Sequence, residues 1–455
     1  MQNISEIMNK QRNFFESGQT KDVTFRMKYL KRLGIAIHKH EADIMESLKK
    51  DLNKAPFEAY ATEIGMVLEE LRFVTKHLYR WAAPKRVKTP LVNYISSSRI
   101  YSEPYGVVLV MSPWNYPFQL TITPLIGAIA AGNCAVVKPS NYSPNTSKVI
   151  ELIITEVFPE EYVTIIQGGR EANQSLLEQK FNYIFFTGSV EVGKLVMSSA
   201  AKHLTPVTLE LGGKSPCIVD ETADLEIAAR RIVWGKYVNA GQTCVAPDYL
   251  LVHRSVKAAL LEKMKAYIVQ FYGSDGKYQE LPKIINVKHF ERLLSLIDGE
   301  KIITGGTSIK ETNQIVPTIL DDITWESPIM QEEIFGPILP VMVYHELNDI
   351  IKKINSRPKP LAFYYFTRSK ENEKKIIKSV SFGGGCINDT VMHLATTYAP
   401  FGGVGESGMG GYHGKASFDT FSHHKSILNK SVKFDMPLRY PPYKDHLKLV
   451  KKILK

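Results

Sequence analysis

From Gly106 onward the sequence alternates short apolar runs with stretches of helical period, and this alternation restricts the fold more than any other feature. The runs Gly106-Val-Val-Leu-Val-Met111, Ala135-Val-Val137, Tyr162-Val-Thr-Ile-Ile166 and Tyr183-Ile-Phe-Phe186 are β-branched or aromatic at nearly every position. Helical candidates lie between them at residues 118–131, 144–157 and 171–178. A strand that is apolar throughout buries both faces, which is the situation in a parallel sheet with helices on both sides. A second series starts after Thr205-Pro206. Its strand candidates are 217–219, 249–252, 315–320, 338–343, 362–366 and 386–387, with helices over 223–238 and 256–271. The expectation is an α/β fold, and 455 residues suffice for more than one such domain.

The flanks read differently. Residues 4–17, 25–48 and 60–78 carry apolar positions at helical spacing, and Trp81-Ala-Ala-Pro84 stops the pattern. A polar, Ser-rich stretch at 87–101 reads as an extended arm or a hairpin. It cannot bury a face alone and wants a neighbour. From Thr397 the chain is rich in glycine and aromatics. The tail, residues 444–455, has five lysines against one aspartate. Leu447, Val450 and Leu454 fall at helical spacing, widened by Leu449 and Ile453. Such a segment packs on its own subunit or touches an anionic membrane surface; it is too short to span one.

Composition excludes several classes. The formal charge of +11 is spread along the chain, with no basic zipper and no zinc-finger spacing, so no nucleic-acid partner is expected. Cys134, Cys217, Cys244 and Cys386 fit the reduced cytosol better than a disulfide framework. The first residues show no apolar export segment. The expected location is the cytoplasm, with tail contact at the inner face of the membrane as the alternative. Histidines and cysteines lack ligand spacing, so no metal is expected.

Open α/β sheets bind ligands beyond the carboxyl ends of their strands. That places Asn115, Lys138, Gly168-Gly169 and Thr187-Gly-Ser189 in candidate positions. Cys244 stands in Asn239-Ala-Gly-Gln-Thr-Cys244, outside any apolar run. It is either a small buried hydrophobe or a nucleophile whose pKa a positive potential lowers. The other three cysteines sit in strand-like contexts and read as core. Glu210 closes Val207-Thr-Leu-Glu210 and is a surface residue or an acid/base. Asn115 between Pro113 and Pro117 marks a turn or supplies an oxyanion donor. Thr187-Gly-Ser-Val-Glu-Val-Gly193 fails the G-x-G-x-x-G fingerprint, although a helix start there can face a phosphate.

Together these motifs make the chain resemble the NAD(P)-dependent aldehyde dehydrogenase superfamily, and within it the class 3 enzymes of fatty and aromatic aldehydes. The resemblance runs from about Phe25 to Tyr443. It rests on Pro113-Trp-Asn-Tyr-Pro117, Phe185-Phe-Thr-Gly-Ser189, Leu209-Glu-Leu-Gly-Gly-Lys-Ser-Pro216 and Gly241-Gln-Thr-Cys244. Glu332-Glu-Ile-Phe-Gly-Pro337 and Pro400-Phe-Gly-Gly-Val-Gly-Glu-Ser-Gly-Met-Gly410 add to it. It implies a Rossmann-type dinucleotide-binding domain (1–85 and 102–208), an α/β catalytic domain (209–395) and a glycine-rich linker (396–410). A small β oligomerisation arm would comprise 86–101 and 411–443, giving a homodimer.

By the same resemblance Cys244 is the nucleophile, Glu210 the general base and Asn115 an oxyanion donor beside the Cys244 backbone N–H. Lys138, Thr187, Gly188, Ser189, Gly193, Glu333 and Phe335 would hold NAD or NADP. Asn141 stands where many members have a glutamate, and a neutral amide does not repel a 2′-phosphate. Tyr116, Thr243, Val391, Leu394 and His413 would line the aldehyde pocket. The implied reaction oxidises a medium- or long-chain aliphatic, aromatic or polyene aldehyde to the acid through a thiohemiacetal and a thioester. Acyl transfer to coenzyme A, or a non-enzymatic protein on the same scaffold, are the alternatives.

Overall fold

The computed structural model describes residues 4–93, 95–273, 280–443 and 446–453. Its first large sheet has six strands in the order Val163–Ile165, Cys134–Lys138, Val107–Met111, Tyr183–Thr187, Val207–Glu210 and Gly408–Met409. The first five are parallel and the last is antiparallel. Every residue of the central strands Val107–Met111 and Tyr183–Thr187 is buried, as runs without polar alternation require. Helix Gln119–Ala131 is buried along its whole length, being apolar on all sides. The N-terminal helices cover the sheet, and two polar side chains fasten them, one to strand Cys134–Lys138 and one to the buried helix Gln119–Ala131. Gln11 Nε2 donates to Ala135 O at 2.9 Å and Arg26 Nη1 to Ala130 O at 3.1 Å.

The second sheet has seven strands, ordered Lys301–Thr304, Thr318–Asp321, Ile338–Tyr344, Tyr249–His253, Pro216–Val219, Ala362–Phe366 and Gly384–Ile387. All neighbours are parallel except the first pair. A third, small antiparallel sheet joins Lys85–Val87, Ser96–Pro104 and Ser422–Lys430. The 87–101 stretch thus forms part of a sheet arm.

Several sequence-based boundaries need correction. The border at 208/209 falls inside strand Val207–Glu210, which pairs entirely within the first sheet. The supposed linker 396–410 contributes the sixth strand, Gly408–Met409. Residues 411–421 are not part of the arm: Tyr412, Phe418 and Phe421 are buried in the core of the first sheet. Residues 315–320 are not one strand, because Pro317 has no N–H to give; Gln314–Ile315 and Thr318–Asp321 flank it in different sheets. The helix expected over 25–48 is two, Val23–Lys39 and Glu41–Leu52. They meet at His40, whose ring nitrogens bond Asp43 and Glu156 at 2.9 Å each. Cys386 is half-buried rather than core, with its sulfur 3.6 Å from His393 Nδ1.

Of the tail, helix Leu447–Ile453 is described, with Leu447 and Leu449 exposed. Lys444, Asp445, Leu454 and Lys455 lie outside the described residues.

Candidate active site

The register of the first sheet gathers the candidates at one edge. Met111, which leads to Asn115, lies opposite Lys138 and Phe186, and Thr187 lies opposite Glu210. Across from this edge stands the loop that carries Cys244. It begins with a turn in which Asn239, Ala240 and Gly241 all have left-handed backbone, with φ of 52°, 51° and 70°. Gly241 is required there, because a Cβ would collide with Gly336 O. The turn and the Asn115 loop are sewn together. Asn115 Nδ2 donates to Gln242 O at 3.0 Å, and Asn239 Nδ2 donates to Asn115 O at 2.8 Å. Tyr116 and Thr243 share a hydroxyl hydrogen bond of 2.6 Å.

Cys244 is partly exposed, and the backbone N–H groups of Cys244 and Val245 donate toward its sulfur. Its thiol is nevertheless pushed up to about 12, by burial first and then by the carboxylates of Glu333 and Glu210. The resting group is therefore a thiol, and those two amides favour the thiolate once the proton leaves. Glu210 is buried, and neither carboxylate oxygen has a hydrogen-bond partner among the described residues. Burial holds its pKa well above the carboxylate range. An unpaired buried carboxyl is costly to hold, which makes Glu210 a candidate for acid–base work.

The residues assigned to a dinucleotide lie around this edge. Lys138 is buried, donates to Pro139 O at 2.7 Å, and is pushed down to about 8 by burial. Its ammonium keeps donors for a ribose hydroxyl. Thr187 Oγ1 is buried without a partner among the described residues. Ser189 caps helix Val190–Ala201 by accepting from Val192 N at 3.4 Å, and Gly188 N donates to Glu210 O at 3.0 Å. Gly193 faces Leu211, so its missing side chain serves helix packing. Asn141 is exposed, with its amide beside Gly169. Glu333 accepts from Gly213 N and is pushed up to about 8, by burial and then by Asp248. Phe335 has φ 51° and meets the Trp114 ring edge-on at 5.4 Å. Free lysine donors, an orphaned threonine hydroxyl and a helix start fit a dinucleotide.

The aldehyde dehydrogenase family model matches residues 2–427. The chain belongs to that family. It is 50% identical to the 4,4′-diaponeurosporen-aldehyde dehydrogenase of Staphylococcus aureus, with 97% of each chain covered. It is 46% identical to the dimeric NADP-preferring aldehyde dehydrogenase of Canis lupus familiaris, covering 97% of this chain and 98% of that one. The structure titled as the substrate-bound state of Staphylococcus aureus AldH superposes with a TM-score of 0.98 at 49% identity, covering all of both chains. The class 3 likeness and the aldehyde dehydrogenase fold read from the motifs hold, and the protein is an aldehyde dehydrogenase that uses NAD or NADP.

In this dehydrogenase Val391, Leu394 and Cys244 share one apolar cluster with Phe401. His413 is buried beside Phe401, 5.7 Å between rings, and is pushed down to about 4 by burial, so it is uncharged at neutral pH. Phe401 was not foreseen as a site residue, although it stands in the quoted Pro400-Phe-Gly-Gly motif. Tyr364 was also missed: its hydroxyl donates to Val245 O at 2.5 Å, fixing the residue after Cys244. Nothing in a uniformly buried strand distinguishes that tyrosine from core. Among the described residues no helix is long and apolar enough to cross a membrane.

Proposed function

We propose that Cys244, Asn115 and Glu210 are respectively the nucleophile, oxyanion donor and general base in oxidation of a lipophilic aldehyde to its carboxylic acid. The observation that carries this reading is a buried, unpartnered carboxyl within electrostatic reach of a thiol to which two backbone amides donate. The Cys244 thiol loses its proton to solvent, and the thiolate attacks the carbonyl carbon, whose π electrons move to oxygen to give a tetrahedral thiohemiacetal anion. Asn115 Nδ2 has two N–H groups, one engaged by Gln242 O and the other left for the oxyanion. NAD(P), when bound, supplies the hydride acceptor. The resulting thioester on Cys244 is hydrolysed by a water whose proton Glu210 accepts. A buried base of this kind supports hydrolysis over thiol transfer, since a thiol needs no comparable activation.

For the substrate, we assign the lipophilic class. Val391, Leu394 and Phe401 supply apolar walls, and His413 is neutral, so these groups offer no cationic clamp for an acidic aldehyde. The diaponeurosporen-aldehyde named for the relative is of the same class. Across straight-chain aldehydes, kcat/KM is expected to rise with length and then level off, each buried methylene contributing about 0.8 kcal/mol. Best turnover on a short charged aldehyde would overturn the assignment.

We also propose a homodimer built on the small sheet, with the tail resting on anionic lipid. Strand Ser422–Lys430 is exposed along most of its length at the sheet edge, with Ile427 and Leu428 in the open. An edge strand of this kind invites pairing. Light scattering is expected to give twice the chain mass. Vesicles of anionic lipid should sediment the full chain, less so in high salt, and should not sediment a chain ending at Tyr443. A monomer in solution sinks the first idea, and equal sedimentation of both forms the second.

A further inference from the structure

Segment 54–63 precedes both sheets and carries none of the reacting groups, yet it reaches the centre of the site. Lys54 and Glu63 are fully buried and paired, Nζ to Oε1 at 2.5 Å. Glu63 lies in a five-residue π-helical turn, Tyr60–Ile64, wedged between helices Pro56–Ala59 and Gly65–Ala82. Such turns occur often at functional sites, because the extra residue re-aims a side chain. Here Glu63 Oε2 accepts from Phe118 N at 2.8 Å and from Gln119 N at 3.1 Å, at the start of the helix behind Asn115. Lys54 Nζ donates to Asn115 O at 3.2 Å and lies 4.0 Å from the centroid of the Tyr116 ring. Glu58 Oε1 accepts from Asn239 N at 2.9 Å, at the root of the Cys244 loop.

Burying a charge pair costs several kcal/mol per ion in desolvation, and mutual attraction only partly offsets it. A pair whose other hydrogen bonds among the described residues end on Asn115 and on the helix start just after it is poorly explained by stability alone. We infer that Lys54 and Glu63 are positioning residues: from behind, they fix the Asn115 backbone and, through the Tyr116–Thr243 bond, its distance from Cys244. The inference rests on the reading of Asn115 as oxyanion donor. An oxyanion donor acts only at the correct distance, and a misplacement of about 1 Å costs on the order of 100-fold in rate. The pair therefore acts on the formation of the thiohemiacetal rather than on dinucleotide affinity.

The test is the double variant Lys54→Met/Glu63→Gln. Methionine fills the lysine stem and the glutamine carbonyl can still accept from Phe118 N and Gln119 N. What is lost is the bond to Asn115 O and the cation over Tyr116. Functional sites are counted by NADP titration, and the burst of reduced nicotinamide is followed after mixing with octanal. The expected result is a native dissociation constant for NADP, with burst rate per site about 10–100-fold slower and kcat falling more than KM rises. A native burst rate per site overturns the inference, since the pair would then be structural. Absence of NADP-binding sites overturns it too, because the pair would be a condition of folding. Asn115→Ala, run alongside, separates the two layers. If it keeps a native burst, the reading of the oxyanion donor fails and takes the inference with it. If it is slow while the double variant is native, only the positioning role fails.

Discussion

Cys244→Ala is expected to abolish turnover and leave the dinucleotide site intact. The substitution removes the sulfur assigned to bond the carbonyl carbon, on the loop next to Asn115. Rate losses on deleting a covalent nucleophile reach about 10⁴-fold or more. The structural cost is small. Cys244 is only partly buried, its loop is fixed by Asn115, Asn239 and Tyr364, and alanine keeps the backbone amides in place. NADP titration and thermal melting should therefore resemble the native enzyme while the reduced-nicotinamide signal vanishes. Turnover within tenfold of native would show that Cys244 is not the nucleophile.

Glu210→Gln is expected to separate the two halves of the reaction. The amide has nearly the same shape and leaves Cys244 and Asn115 in place, so hydride release should still occur once per site. Deacylation then lacks its base, and the steady rate should fall by about 10²–10⁴-fold. The pH dependence adds a second signature. Burial raises the Glu210 pKa, so the group is held in its acid form and only its ionised fraction can take a proton. Steady turnover of the native enzyme should rise with pH through that raised pKa, and the variant should lose this rise. Rapid mixing followed by steady-state measurement at several pH values reads both effects. An unchanged steady rate would remove Glu210 from the mechanism.

The core strands were readable because burial on both faces leaves a continuous apolar run, and the candidate site was sought at their carboxyl ends. Asn115, Lys138, Thr187 and Glu210 all sit at that edge of one sheet. Other elements were hidden for identifiable reasons. Gly408–Met409 is too short and too small to look like a strand, and its pairing with Leu209 and Glu210 is a long-range event. Residues 412–421 read as part of the C-terminal arm until Tyr412, Phe418 and Phe421 are seen to fill the first core. Lys54 and Glu63 resemble ordinary charges of an amphipathic helix, where such residues normally face water. Their partners lie more than fifty positions away, at Asn115 and Phe118. Local pattern carries no signal of that kind.

The closing of the first sheet by its sixth strand also bears on how the protein is made. Five parallel strands are complete once Glu210 has been synthesised, but the strand that covers their open edge comes from Gly408–Met409. Tyr412, Phe418 and Phe421, which finish the core beneath, come later still. At ordinary elongation speeds of about 5–20 residues per second, the edge at Val207–Glu210 waits on the order of 10–40 s for its cover. During that interval Val207–Glu210 lacks its Gly408–Met409 partner, and an unpaired strand edge favours aggregation. A chain interrupted before residue 400 would carry that edge bare and is expected to aggregate more readily than the full chain.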